Sequence, residues 1–173
     1  STCTISEQSD LDCRASAILG PSSRVFYVSG EAVYVWVGQN PRHTLARQQN
    51  NSMLLRMPLN GQSPQALRVS GNPIDQLSFL ERDDFLNVLV GSEAGGDGMW
   101  RATGNAGSLA VLRVPLSAFG NSRASSQSRN YRAIPAVFDW NLQNRFVGDW
   151  LLVGSSYQNN ASASMSAVPY SKT

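Results

Sequence analysis

A short run of the form Leu-Arg-x-Pro-Leu recurs along the chain, and this recurrence constrains the fold more than any other feature. The copies are Leu55-Arg56-Met57-Pro58-Leu59, Leu112-Arg113-Val114-Pro115-Leu116 and a looser Ser166-Ala167-Val168-Pro169-Tyr170. Their first residues stand at 55, 112 and 166, so the repeat is 57 and then 54 residues long. A unit of that length is one supersecondary element, and several such units bury their apolar surface by stacking on one another. Proline cannot donate to a β-ladder, so each copy should end its strand or face an unpaired position.

A hairpin precedes each copy. Arg24-Val25-Phe26-Tyr27-Val28 meets the turn Ser29-Gly30-Glu31, and Ala32-Val33-Tyr34-Val35-Trp36-Val37-Gly38 follows. Two β-branched and aromatic runs around a glycine turn predict an antiparallel pair. The hairpin returns 53 residues on: Phe79 matches Phe26, Val88 matches Val35, Val90 matches Val37 and Gly91 matches Gly38. A third version, residues 144–154, has a turn about four residues shorter. Outer strands follow at 65–70 and near 129–134.

The pattern predicts an all-β, β-propeller-like fold of about three four-stranded antiparallel blades, at about 24–70, 73–134 and 137–173. The third blade lacks its fourth strand. Gly71-Asn72-Pro73 reads as the turn linking the first two. Residues 1–23 read as an irregular N-terminal segment. An open sandwich or solenoid is the alternative, and it would show in an outer strand that pairs beyond its own blade.

At 173 residues the chain is long enough for one domain with a substantial core. Only 15% of residues are charged, and a net charge of +2 is too small to imply nucleic acid or an anionic membrane. No apolar run nears the roughly 20 residues of a transmembrane helix, and no signal peptide stands at the start. The chain begins Ser1-Thr2-Cys3, as a mature form or a processed fragment would. Cys3 and Cys13 fit neither a redox CxxC pair nor a four-ligand zinc site. A disulfide between them is favoured over free thiols. It would stabilise by roughly 2.5–3 kcal/mol and place the protein in an oxidising compartment: secreted, periplasmic or cell-surface.

The runs Arg24–Ser29, Ala32–Val37, Val69–Phe79, Leu86–Val90 and Arg145–Asp149 resemble secreted bacterial β-propeller domain proteins. The resemblance covers about three quarters of the chain. It implies further blades beyond these three, and it brings no catalytic residue with it.

Sites are sparse. His43 is the only histidine, too few for a multi-histidine metal centre. The glycine-rich loop 92–101 is the most unusual segment. Its Glu93 and Asp97 are candidate oxygen ligands for Ca²⁺, although two carboxylates are few for a tight site. Glu81-Arg82-Asp83-Asp84 reads as a solvated hairpin turn, and Trp36, Trp140 and Trp150 as packing between blades. The loops 39–52, 92–106 and 155–164 should share one rim, with His43, Trp100, Arg101 and Tyr157 as candidate binding-face residues.

No serine-hydrolase elbow, phosphate loop, zinc-protease helix or dinucleotide fingerprint is present. The expectation is therefore a non-enzymatic binding or scaffold module outside the cytoplasm. Further blades of a parent chain, a second copy or another subunit would complete it. The alternative is part of a propeller hydrolase or lyase acting on extracellular glycans or lactones, with acids drawn from Asp75, Glu93, Asp97 and Asp139.

Overall fold

The computed structural model describes residues 2–6, 9–15, 17, 24–38, 52–92, 108–134, 142–156 and 163–171. An N-terminal hairpin and three antiparallel sheets make up the fold. The first sheet has the order β3 (Arg24–Val28), β4 (Ala32–Gly38), β5 (Ser52–Pro58), β6 (Gln65–Val69). The second is built on β8 (Phe79–Arg82), β9 (Phe85–Gly91), β10 (Leu109–Pro115) and β11 (Tyr131–Ile134). The third holds β12 (Leu142–Val147), β13 (Trp150–Ser156) and β14 (Ala163–Pro169). Each is a meander in which consecutive strands are neighbours, and among the described residues no sheet closes on itself.

The repeated proline is the last residue of its strand in all three sheets. Pro58 stands opposite Ala32, Pro115 opposite Phe85 and Pro169 opposite Trp150, each partner being the first residue of the preceding strand. The missing N–H thus falls where the ladder stops anyway. The shorter third hairpin also appears in the register. Phe26 faces Val35 and Phe79 faces Val88, whereas Phe146 already faces Leu151.

The turns follow from their residues. Asp83 and Asp84 carry φ of 52° and 61°, the pattern of a two-residue type I′ hairpin turn. Gly148, at φ 56°, supplies the positive φ at the head of the β12–β13 turn.

Two segments differ from the sequence reading. The segment 1–23 is not irregular throughout: β1 (Thr2–Ser6) and β2 (Ser9–Arg14) pair as a hairpin. Its apolar residues do alternate, Cys3 and Ile5 in β1 and Leu11 and Cys13 in β2, but two per strand among polar residues make a weak period that the sequence reading passed over. The Gly71-Asn72-Pro73 link is also more than a turn. Asn72 and Pro73 form β7, a short strand beside Gly91 and Val90 of β9 on the edge that β8 also uses. The Asn72 side chain lies over Gly38, where an added Cβ would come within 2.7 Å of Asn72 Oδ1.

The sheets stack face on face, always in the same sense. The back of the second sheet carries Phe79, Leu86, Val88, Val90, Leu112 and Val114, packed against Tyr34, Trp36, Leu54 and Leu67 on the front of the first. Its own front carries Leu89, Leu109 and Val111, packed against Phe146, Leu151 and Val153 on the back of the third. The middle sheet is therefore buried on both faces, and β9 reads as a nearly continuous apolar run.

The outer edge of the first sheet is capped. The segment between β10 and β11 lies along β6, with Ala66 N–H donating to Gly120 O at 2.8 Å and Arg68 N–H to Ala124 O at 2.8 Å. These bonds satisfy backbone groups that an open edge would offer to another chain. So β6 does pair beyond its own sheet, but with a loop through two isolated bridges.

Candidate interaction surface

Alternation along each strand decides what the ends of the stack present. In the first sheet Ala32, Tyr34 and Trp36 point to the second sheet, so Val33, Val35 and Val37 point away. Register adds Phe26 and Val28 from β3, and Met53, Leu55 and Met57 from β5, to that outward face. In the third sheet Leu151 and Val153 point inward. Trp150 and Leu152 then point outward, joined by Val147 and by Met165 and Ala167 of β14.

Exposure is concentrated on these two faces. Among the described residues the exposed large hydrophobics are Phe26, Val28, Leu77, Val147, Trp150 and Met165. Phe26 and Val28 belong to the back of the first sheet. Val147, Trp150 and Met165, the last 76% exposed, belong to the front of the third. Leu77 sits between them, on the short turn Gln76–Ser78 that touches both β3 and β12. There an open cleft of about 410 Å³ is lined by Phe26, Tyr27, Leu77, Phe79, Arg145 and Phe146 among others. Isolated exposed apolar residues are ordinary, but contiguous groups of them mark interaction surfaces.

Polar contacts hold the two faces in position. Tyr34 accepts from Arg56 Nε at 3.1 Å, and Arg56 also reaches Gln65 Oε1 at 3.2 Å. Burial pushes the Tyr34 phenol pKa above its usual value; the Arg56 hydrogen bond opposes that and nearby Glu81 adds to it. Glu81 accepts a hydrogen bond from Ser29 across the first interface. Across the second, Arg82 Nη1 donates to Gly148 O at 2.9 Å and to Tyr170 Oη at 3.2 Å, and lies 3.1 Å from Asp149 Oδ1. Arg132 adds a bond to Pro169 O.

The sequence-derived candidates fall mostly elsewhere. His43, Glu93, Asp97, Trp100, Arg101, Asp139 and Tyr157 lie outside the described residues, as does Trp140. Cys3 and Cys13 stand opposite each other in the β1–β2 register and are joined by a disulfide. Asp75 is engaged in structure: its Oδ1 accepts from Leu77 N–H at 2.7 Å, Ser78 Oγ at 3.3 Å and Asn144 Nδ2 at 3.3 Å. That carboxylate caps the 76–78 turn and ties it to β12. Among the described residues no three acidic, histidine or cysteine side chains gather into a cation site. No helix among them is long and apolar enough to cross a membrane.

Of the tryptophans read as packing between blades, Trp36 is buried between two sheets, whereas Trp150 is 49% exposed on an outward face. The outward group around Phe26 and Trp150 had no separate signal in the sequence, because buried and open faces use the same apolar alternation. Comparison with known proteins adds nothing to this geometry: no protein-family model, no curated protein and no solved structure matches the chain.

Proposed function

We propose that the chain is a non-enzymatic binding or scaffold module working outside the cytoplasm, with its two apolar end faces as the binding surfaces. In this reading the three sheets are consecutive blades of a propeller-like array, the arrangement of the secreted bacterial β-propeller domain proteins that the sequence resembles. One observation carries it: the exposed large apolar side chains gather on the two end faces and the cleft between them. The meander order and constant stacking sense of the sheets support the array. The Cys3–Cys13 disulfide supports an oxidising compartment.

Photo-crosslinking residues placed at Phe26 and Trp150, in the full chain within its producing cells, test the reading. Protein adducts should form at both, and none at the exposed control Gln127. No adduct at either face, or steady turnover of a glycan or lactone by the purified chain, overturns it.

A further inference from the structure

The two open faces are of opposite kind. Among the described residues no sheet stands over the back of the first sheet or the front of the third, while both interfaces inside the molecule join a front to a back. The middle sheet shows what a covered back looks like. Phe79, Val88, Val90 and Leu112 are all buried there. Their register counterparts in the first sheet are Phe26, Val35, Val37 and Leu55. The chemistry of the position is retained, but there Phe26 is exposed and Val35, Val37 and Leu55 are only half-buried.

We propose that the cover is a second copy of the chain: the front of one copy's third sheet, around Trp150, Leu152 and Met165, packs on the back of its partner's first sheet, around Phe26, Val35 and Leu55. This rests on the proposed function above and names the partner of its two faces. The case for a second copy is self-complementarity continuous with the internal interfaces. One chain carries both halves of the same front-to-back contact. A front-to-back contact is heterologous, so it either closes or propagates. Two copies related by a two-fold axis close it, covering all four faces and leaving none to recruit more chains. The centre of each patch is apolar, and the charged residues Arg24, Arg68 and Arg145, all cationic, stand on the edge strands β3, β6 and β12.

Native mass by light scattering of the purified full chain decides the matter. The expected result is twice the 18.8 kDa of one chain. Phe26→Asp and Trp150→Asp should each reduce the mass to a single copy, and far-UV circular dichroism should stay unchanged because both side chains are exposed. Mixing the two variants should restore a two-copy species, since one of its two contacts then joins an intact front to an intact back. A back-to-back or front-to-front dimer responds to only one variant and gives no rescue, so that pattern overturns the proposal. A folded single copy for the unmodified chain also overturns it. Crosslinks at Phe26 and Trp150 to a different protein would then leave the binding-module reading standing without the second copy.

Discussion

Phe26 and Phe79 stand at the same register position in consecutive sheets, each opposite a valine of the next strand, yet Phe79 is 4% exposed and Phe26 is 58% exposed. Phe79 stacks on Tyr27 at 5.6 Å between ring centroids and meets Trp36 edge-on at 6.2 Å. The difference is the presence of a neighbouring sheet.

That contrast predicts unequal costs for one substitution. Phe79→Ala opens a cavity between the first two sheets and should destabilise by about 3–5 kcal/mol. Phe26→Ala should change stability by less than about 0.5 kcal/mol in dilute chain. Urea unfolding of both variants checks this, and equal losses would contradict the stacking described.

The Asp83–Asp84 turn should respond to glycine. Asp84 holds φ of 61°, a conformation that costs any L-residue and costs a β-branched one most. Asp84→Gly should stabilise by up to about 1 kcal/mol, and Asp84→Val should destabilise by about 1–2 kcal/mol. Thermal melts of the pair give the sign directly.

Tyr131 joins the sheets through its hydroxyl, which accepts from Ser70 N–H at 2.7 Å and pairs with Ser126 Oγ at 2.9 Å, all in a buried setting. Tyr131→Phe keeps the ring and removes those bonds. The expected loss is about 1–2 kcal/mol, read from the urea midpoint with an unchanged m-value.

Alkali should unfold the chain through its buried phenols. Burial raises the pKa of both Tyr34 and Tyr131 above the ordinary 10.0. The unfolded chain therefore releases these protons first. Their stabilising contribution is complete below about pH 10 and is lost as the pH climbs through the folded values. Tyrosinate absorbance followed with circular dichroism should show ionisation and unfolding together. Tyr34→Phe should move the alkaline midpoint upward, even though it loses the Arg56 bond at neutral pH.

The Cys3–Cys13 link should act locally. The β1–β2 hairpin forms its own two-stranded sheet, separate from the other three. Reduction should add two hydrogens to the intact mass and speed amide exchange in residues 2–14, where the cross-link is worth about 2.5–3 kcal/mol on the loop-entropy model. Melting of the three large sheets should stay where it was. A large fall in their melting temperature would show that the hairpin supports them.

Strand identity was legible where alternation and turn residues agreed. The hairpin at 24–38, the strands ending at Pro58, Pro115 and Pro169, and the outer strands at 65–70 and near 129–134 all read from residue pattern, although Arg129 and Asn130 belong to a short turn and the second outer strand starts only at Tyr131. The N-terminal hairpin did not, because each of its strands carries only two alternating apolar residues among polar ones. Nor did β7, where two residues are too few to carry a period. Trp150 was read as packing because an aromatic residue in a strand looks the same whether or not a sheet stands over it.

The repeated proline run, with the alternating hairpins before it, thus determined the three large sheets, where their third strands end and which side chains share a face. Those properties are local: a missing N–H, a two-residue period and a turn that needs positive φ act within a few residues. Only the tertiary structure decided which faces are covered, because burial depends on what stands about 10 Å across from a sheet. The same phenylalanine is core in the second sheet and surface in the first for that reason alone.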